Sequence, residues 1–196
     1  MKKLNILVNG FGRIGRAILR QISKKNHISK IYINDLNEDI TNLIYTYNFD
    51  KLVQVYKKFP KIVLRKNYYY LGKKKIIFKR AEEIKNFSKI KDLDLIIDTS
   101  GICSNKNEWV KLSKLKPKLK FLYTFDHPIT EITLVLGANE SNLNNRHKFI
   151  SASICDATAL APFLKLLDKN FQISYGNITT VPVSYTHLTL PTKRIV

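Results

Sequence analysis

The first 35 residues alternate between apolar runs and polar turns in the order strand, helix, strand. The apolar runs at 4–8 and 31–33 each have the continuity of a buried β-strand. Between them, apolar side chains recur at i, i+3, i+4 and i+8, on one face of a helix: Ile14, Ala17, Ile18 and Ile22. The pattern therefore predicts a βαβ unit at the start of the chain.

Strand and helix patterns continue to alternate along the middle of the chain. The pattern predicts a helix and several buried strands: a helix at 40–47 and strands at 93–97, 121–125 and 133–136. Three short β-rich stretches lie among them: 62–64, 68–71 and 75–78. These stretches predict an antiparallel excursion with a turn at Gly72. Because strands alternate with helices, we expect an α/β fold with a mostly parallel, doubly wound sheet.

The pattern changes near residue 150. A second amphipathic helix is predicted by apolar residues at i, i+3, i+4 and i+7: Leu160, Phe163, Leu164 and Leu167. Cys155 lies at the head of this helix, and Pro162 inside it predicts a kink or a later helix start. A further strand is predicted over 173–181. We therefore expect a first domain over 1–150 and the start of a second, α+β domain over 151–181.

Composition excludes several classes of protein. The chain has 196 residues, and 44% of them are hydrophobic, so a packed core is expected rather than disorder. No apolar run approaches the roughly 20 residues of a membrane span, and we expect no membrane segment. Cys103 and Cys155 are too few for a disulfide framework or a cysteine-built metal site, which favours a reducing cytoplasm and predicts no metal. Cys103 is interpreted as a structural residue.

The formal net charge of +19 is more typical of a solvated surface than of nucleic-acid binding. Most of the basic residues are lysines, and they are spread along the whole chain. Two patches, 73–75 and 111–120, have aromatic neighbours at 68–70 and at Phe121, so they leave a nucleic-acid interface open as the alternative.

A glycine-rich turn between the first predicted strand and helix fits a dinucleotide. Gly10 allows the tight turn, Gly12 lets the backbone approach a pyrophosphate, and Gly15 lets helix and strand pack closely. Asp35 closes the second strand 20 positions after Gly15, where a carboxylate accepts hydrogen bonds from a ribose and repels a 2′-phosphate. The alternative is an ordinary βα turn with a surface aspartate. The spacing favours a Rossmann-like domain that binds NAD rather than NADP.

The segment 9–16, Asn-Gly-Phe-Gly-Arg-Ile-Gly-Arg, resembles the opening motif of the glyceraldehyde-3-phosphate dehydrogenase family. Asn34-Asp35, the stretch 99–101 and the stretch 136–139 are also similar to family segments. The resemblance implies NAD as cofactor, a small-molecule aldehyde as substrate, and a homotetramer. The cofactor contacts that it implies are Gly10, Phe11, Gly12, Arg13, Ile14, Gly15, Asn34, Asp35, Arg80, Ser100, Gly101 and Thr124.

Cys155 is the candidate nucleophile. A helix N-terminus stabilises a thiolate, and a thiolate attacks an aldehyde carbon, although most isolated cysteines are simply small buried hydrophobes. The resemblance aligns 151–162 without gaps on the family's cysteine motif, with Cys155 on the nucleophile. It implies a cysteine hemithioacetal, hydride transfer to NAD, and a thioester released by inorganic phosphate.

Two neighbours of Cys155 depart from the family pattern, which has serine before the nucleophile and Thr-Thr-Asn after it. This chain has Ile154 before it and Asp156-Ala157-Thr158 after it. A carboxylate at 156 places negative charge beside the thiolate and beside the family's phosphate contact. Either the substrate differs from the usual triose phosphate, or Asp156 turns away and caps the helix.

Residues 182–196 break the pattern and resemble a translated sequencing adapter, so we expect them to be a non-native tail. By resemblance, the family's general-base histidine falls at position 182, where this chain has Pro182. We therefore expect a fragment of an NAD-dependent aldehyde oxidoreductase that binds NAD weakly and is itself inactive. The alternatives are a family paralogue acting on another sugar-derived aldehyde and a non-catalytic module that binds nucleotides or RNA.

Overall fold

The central strand of the sheet is β1 (Leu4–Asn9), which pairs in parallel with a strand on each side. The computed structural model describes residues 3–50 and 59–180. The two neighbours of β1 are β2 (Ile28–Asn34) and the later strand Leu95–Asp98. This arrangement confirms the predicted βαβ unit and places three carboxyl-terminal strand ends side by side.

In the described ranges the sheet has nine strands in the order β3-β4-β5-β2-β1-β6-β7-β9-β8. The remaining strands are β3 (Ile62–Arg65), β4 (Tyr68–Leu71), β5 (Lys74–Lys79), β6 (Leu95–Asp98), β7 (Lys120–Tyr123), β8 (Ile132–Thr133) and β9 (Phe149–Ser151). The pairs β3–β4 and β4–β5 are antiparallel, and the other pairs are parallel. The mostly parallel sheet and the antiparallel excursion with its turn at Gly72, where φ is +61°, are both confirmed.

Both faces of the sheet are covered, which gives the doubly wound, Rossmann-like architecture. The helices are α1 (Arg13–Ser23), α2 (Ile40–Asn48), α3 (Lys106–Leu115) and α4 (Cys155–Phe171), with 3₁₀ helices at Ile84–Lys89 and Glu140–Asn142. Successive strand residues point to opposite faces. Ile6 packs in the core with Leu19 and Leu43, whereas Leu7 packs in the core with Phe87 and Trp109.

The predicted apolar face of α1 is not the face that α1 buries. Ile14 is 54% exposed and Ala17 is exposed, whereas Leu19 is fully buried and Gly15 faces the sheet. A side chain at position 15 would overlap the Gly10 carbonyl oxygen, so the glycine is the residue that lets the helix approach β1 this closely. Ile18 and Ile22 are only partly buried at the margin of the core.

The C-terminal part departs from the sequence predictions at the end of β8 and at the start of α4. Strand β8 ends at Thr133 rather than 136, because the chain turns where Val135 N–H bonds to Asn139 Oδ1 at 2.8 Å. Helix α4 begins at Cys155 and continues through Pro162, so the alternative of a later helix start is wrong, and the proline leaves the helix one backbone donor short. The helix ends at Phe171, and its C-cap residue Gln172 has a φ of +53°.

The strand predicted over 173–181 is wrong for residues 173–180, which form no strand. No described strand lies beside them to supply a ladder of hydrogen bonds. Position 181, the tail at 182–196 and the site predicted for a histidine at 182 lie outside the described residues. A search of the described helices finds none with the length and apolar character to cross a bilayer.

Candidate functional site

A crevice of about 320 Å³ opens at the carboxyl ends of the central strands. This edge of an open α/β sheet is where ligands bind. Six of the predicted cofactor contacts line the crevice: Gly10, Phe11, Gly12, Asn34, Asp35 and Ser100. The structure thus brings residues from the ends of β1, β2 and β6 around one space.

The glycine-rich turn contains a backbone conformation that glycine adopts easily and other residues adopt rarely. Gly10 has a φ of +90°, and its N–H donates to the Asn34 carbonyl at 2.8 Å. A Cβ atom at Gly10 would lie 3.0 Å from the backbone nitrogen of Ser100. At Gly12, by contrast, a Cβ atom would have no protein atom within 4 Å. The free space at Gly12 therefore faces the crevice rather than the protein.

The N-terminus of α1 points toward this space without a side-chain cap. Gly12 is the N-cap residue, and it offers no side-chain oxygen to the first turn of the helix. The positive end of the helix dipole favours an anion at this point. An uncapped helix start next to an open glycine is a fitting cradle for the pyrophosphate of a dinucleotide.

Asp35 lies beside the turn and holds its backbone. Its Oδ2 accepts a hydrogen bond from Phe11 N–H at 2.7 Å, and its Oδ1 accepts one from Asn37 N–H at 2.9 Å. Arg16 donates from Nη1 to the Phe11 carbonyl at 3.1 Å. The peptide groups on both sides of Phe11 are therefore fixed, and each Asp35 oxygen retains acceptor capacity for a ribose hydroxyl.

The other six predicted contacts lie outside the crevice lining. Arg80 is paired with Glu38 and lies 3.8 Å from Glu82, on the wall of a neighbouring cavity of about 460 Å³. Thr124 donates from Oγ1 to the Asp98 carbonyl at 3.2 Å. Of the remaining four, Arg13, Ile14 and Gly15 form the first turn of α1, and Gly101 lies in the loop after β6.

Several lining residues were not among the predicted contacts. Thr99 donates from Oγ1 to the carbonyls of Asn9 and Gly10, at 3.0 and 2.5 Å, and so joins the β1 and β6 loops. Thr99 belongs to the family-like stretch 99–101 and could have been found there. Ala81 and Phe87 also line the crevice. No sequence signal marks them, because they reach it only through the antiparallel excursion.

Cys155 is the first residue of α4, and it is exposed. It therefore differs from the buried cysteine of the alternative interpretation. Its thiol lies 3.1 Å from Asp156 Oδ1 in hydrogen-bonding geometry. Asp156 forms no cap at the helix start, so the capping alternative is wrong: the carboxylate turns toward the thiol. Cys103 is also exposed, with its sulfur 3.5 Å from the Asp126 carbonyl, and it does not fill a core position.

His127 is buried next to Asn105, another residue of the crevice wall. Its ring stacks on Tyr123, and its Nδ1 accepts a hydrogen bond from Ile129 N–H at 3.3 Å. Nε2 lies 3.4 Å from Asn105 Oδ1. A ring that accepts at Nδ1 is neutral, and burial lowers the pKa of His127 below its ordinary value of 6.5.

We expect His127 to make the fold sensitive to acid. The pKa of His127 is lower in the folded state than in the unfolded state, so the unfolded chain binds a proton more readily as the pH falls. The contribution of His127 to the free energy of unfolding is therefore fully present above pH 6.5, and it is lost as the pH drops below 6.5. Urea unfolding at pH 7.5 and 5.5 measures this loss. Between these two pH values, the free energy of unfolding is expected to decrease less in a His127→Gln variant than in the unchanged chain. Equal losses in the two proteins would show that His127 does not titrate on unfolding.

The fold and the crevice together define a dinucleotide-binding domain of the Rossmann type. The model of the family described as glyceraldehyde 3-phosphate dehydrogenase, NAD binding domain, matches residues 4–106, more than half of the chain. The chain belongs to this family, and its cofactor is NAD.

Curated relatives match over most of the chain. It is 34% identical to the glyceraldehyde-3-phosphate dehydrogenase of Thermotoga maritima in an alignment 196 positions long, which covers 96% of this chain and 57% of that protein. It is 34% identical to that of Chlamydia pneumoniae, covering 91% of this chain and 53% of the relative, and 28% identical to that of Mycoplasma pneumoniae, with 92% and 53% covered. The chain spans about half the length of the curated relatives it matches.

Proposed function

We propose that this chain supplies the NAD-binding domain and the nucleophile of an NAD-dependent aldehyde oxidoreductase of the glyceraldehyde-3-phosphate dehydrogenase type. The observation that supports the activity best is Cys155, an exposed thiol at the first residue of a 17-residue helix. Cysteine nucleophiles are often found at helix N-termini, and the exposed sulfur of Cys155 is accessible to an aldehyde.

In this proposal residues 151–181 begin a catalytic domain that follows the NAD domain at 1–150. No residue of α4 is buried, and three large apolar side chains on it are exposed: Phe163, Leu166 and Phe171. A helix with an apolar side normally packs against other protein. These residues are therefore suited to contact further parts of the enzyme, and the family resemblance suggests a homotetramer.

The proposed reaction begins with attack of the Cys155 thiolate on the aldehyde carbon, which forms a C–S bond and a hemithioacetal. NAD held in the crevice would supply the hydride acceptor that turns the hemithioacetal into a thioester, and the hydroxyl proton would leave to a base or to water. Inorganic phosphate then displaces the thiolate and leaves as an acyl phosphate. The glycine turn and Asp35 hold the cofactor, with Asp35 on the ribose and the α1 N-terminus on the pyrophosphate.

The test is NADH absorbance with NAD, glyceraldehyde 3-phosphate and inorganic phosphate. We expect the protein encoded by the complete gene to form NADH, and Cys155→Ser to abolish it, whereas Cys103→Ser retains it. We expect this chain on its own to form no detectable NADH, because Pro182 stands where the resemblance places the general-base histidine, and losing such a base costs roughly 10²- to 10⁴-fold in rate. NADH formation that survives in Cys155→Ser would overturn the assignment of the nucleophile.

A second candidate substrate is favoured by the contact between Asp156 and Cys155. The Asp156 carboxylate lies 3.1 Å from the thiol, and it would repel a phosphate group bound at this end of the helix. An aldehyde without a phosphate at that point is then the better substrate. Comparison of kcat/KM for glyceraldehyde 3-phosphate and glyceraldehyde distinguishes the two, and Asp156→Asn is expected to shift the ratio toward the phosphorylated aldehyde.

The same contact predicts the reactivity of the thiol. We expect Asp156→Asn to speed alkylation of Cys155 by iodoacetamide roughly three- to tenfold, because it removes the negatively charged oxygen that accepts the hydrogen bond of the thiol. Peptide mass spectrometry follows Cys155 and Cys103 in the same sample, so Cys103 serves as the internal control. An unchanged rate at Cys155 would mean that the Asp156 charge does not act on the thiol.

A further inference from the structure

A row of buried polar side chains crosses the sheet below the crevice. Asn9 donates from Nδ2 to Asp98 Oδ1 at 3.0 Å, and its Oδ1 accepts from Asn34 Nδ2 at 2.8 Å. Asn34 Oδ1 accepts from Ala81 N–H at 2.7 Å, and Asn34 Nδ2 donates to the Ala81 carbonyl at 3.1 Å. This polar row, Asp98–Asn9–Asn34, therefore connects the ends of β6, β1 and β2 with the segment after β5.

Each member of the polar row lies at the base of a loop that lines the crevice. The glycine turn follows Asn9, Asp35 follows Asn34, and the segment 99–102 follows Asp98. The loops after β1 and β6 also touch directly, since Thr99 N–H donates to the Asn9 carbonyl at 2.8 Å. A shift at Asp98 would therefore change the spacing of both loops.

Asp98 contacts both loops through one of its two carboxylate oxygens. Oδ1 accepts from Asn9 and also from Ser100 N–H at 3.0 Å. Oδ2 is buried and has no hydrogen-bond partner among the described residues, and the whole residue is only 1% exposed. Burial also raises the pKa of Asp98 above its ordinary value. Because no hydrogen-bond donor among the described residues reaches Oδ2, Asp98 contacts the loops around the crevice through Oδ1.

We propose that Asp98 is a positioning residue for NAD: its Oδ1 oxygen holds Asn9 and Ser100 together and so sets the spacing of the glycine turn and the 99–102 loop. The acceptor oxygen is essential for this role, and the charge of the carboxylate is dispensable. The inference rests on NAD occupying the crevice, and it goes beyond the proposed function by assigning a role to a residue buried below the cofactor.

Two variants of nearly the same shape separate the oxygen from the charge. Asp98→Asn keeps an acceptor oxygen and removes the charge, whereas Asp98→Leu keeps the branched shape and removes both. We expect the NAD dissociation constant of Asp98→Asn to stay within about twofold of the unchanged chain, and that of Asp98→Leu to rise about tenfold or more. Asp98→Asn is also expected to be at least as stable toward urea.

Asp94→Leu is the matched control. Asp94 accepts from Asn5 N–H at 2.9 Å at the opposite end of the same strand pair, away from the crevice. Its loss is expected to lower stability without changing NAD affinity. The fluorescence of Trp109, the single tryptophan, follows NAD binding, because its Nε1 donates to Asn105 Oδ1 at the crevice wall.

The outcomes distinguish this inference from the proposed function. Failure of the unchanged chain to bind NAD overturns the crevice assignment and the inference with it. If the unchanged chain binds NAD and a folded Asp98→Leu binds it equally well, the inference alone is overturned. It is also overturned if Asp98→Asn loses affinity as strongly as Asp98→Leu. Where Asp98→Leu does not fold, Thr99→Val, which removes the hydroxyl between the loops, is expected to weaken NAD binding, and unchanged affinity contradicts the inference.

Discussion

The Gly15→Ala variant is expected to unfold at much lower urea concentration than the unchanged chain and to bind no detectable NAD. The added methyl group would overlap the Gly10 carbonyl oxygen and approach Thr99 Oγ1 to 3.0 Å. The first of these is a backbone atom of the glycine turn, so the helix and the turn must separate. Overpacking of this kind costs about 3 kcal/mol of unfolding free energy or more. Urea denaturation followed by circular dichroism measures the loss.

Gly12→Ala is the matched control in the same motif. Its methyl group would meet no protein atom within 4 Å, and the φ of −67° at Gly12 suits any residue. We expect stability to change by less than about 1 kcal/mol. NAD affinity is nevertheless expected to fall about tenfold or more, because the methyl group would enter the space that we propose for the pyrophosphate. Equal stability of the two variants would contradict the packing assigned to Gly15.

The Asp35→Ala variant is expected to bind NAD about 10- to 100-fold more weakly than the unchanged chain. The change removes the carboxylate that we propose as the hydrogen-bond acceptor for the ribose, and such a hydrogen bond contributes about 1.5–3 kcal/mol. It also releases Phe11 N–H, which Asp35 Oδ2 holds at 2.7 Å. The glycine turn, which we propose as the pyrophosphate site, is therefore loosened as well. Isothermal titration calorimetry with NAD measures the combined effect.

Asp39→Ala provides the control for Asp35. Asp39 is exposed four positions later and caps α2, with its Oδ1 accepting from Asn42 N–H at 3.0 Å. Its loss is expected to cost about 1 kcal/mol of stability and to leave NAD affinity unchanged.

Asp35→Asn tests the charge: the preference for NAD over NADP should narrow, because the repulsion of a 2′-phosphate is gone. An unchanged preference would show that Asp35 does not face the ribose.

The parts of the fold that the sequence predicts are those set by local pattern. The strand 4–8, the glycine turn and Asp35 lie within the first 35 residues, and their spacing reflects one βαβ unit. The apolar pattern predicted the wrong buried face of α1, because such a pattern counts apolar side chains and a glycine has none. At Gly15 the absence of a side chain determines how the helix packs.

The rest of the site depends on contacts between distant parts of the chain. Ala81 and Phe87 reach the crevice through the antiparallel excursion, and Asn9 and Asp98 meet because β1 and β6 pair in that register. Neither contact has a local sequence pattern. Asp156 differs from these residues because it is next to Cys155 in the sequence. Whether its carboxylate caps the helix or contacts the thiol depends on its side-chain conformation, which the sequence does not give.

The most direct test of the NAD crevice is a titration of the purified chain with NAD and, separately, with single-stranded RNA at several salt concentrations. We predict saturable binding of one NAD per chain, with an affinity that changes little between low and physiological salt, because few ions are released by a small dinucleotide. The lysine-rich surface is expected to bind RNA weakly at physiological salt. Tight RNA binding with a steep salt dependence, and no saturable binding of NAD, would contradict the account.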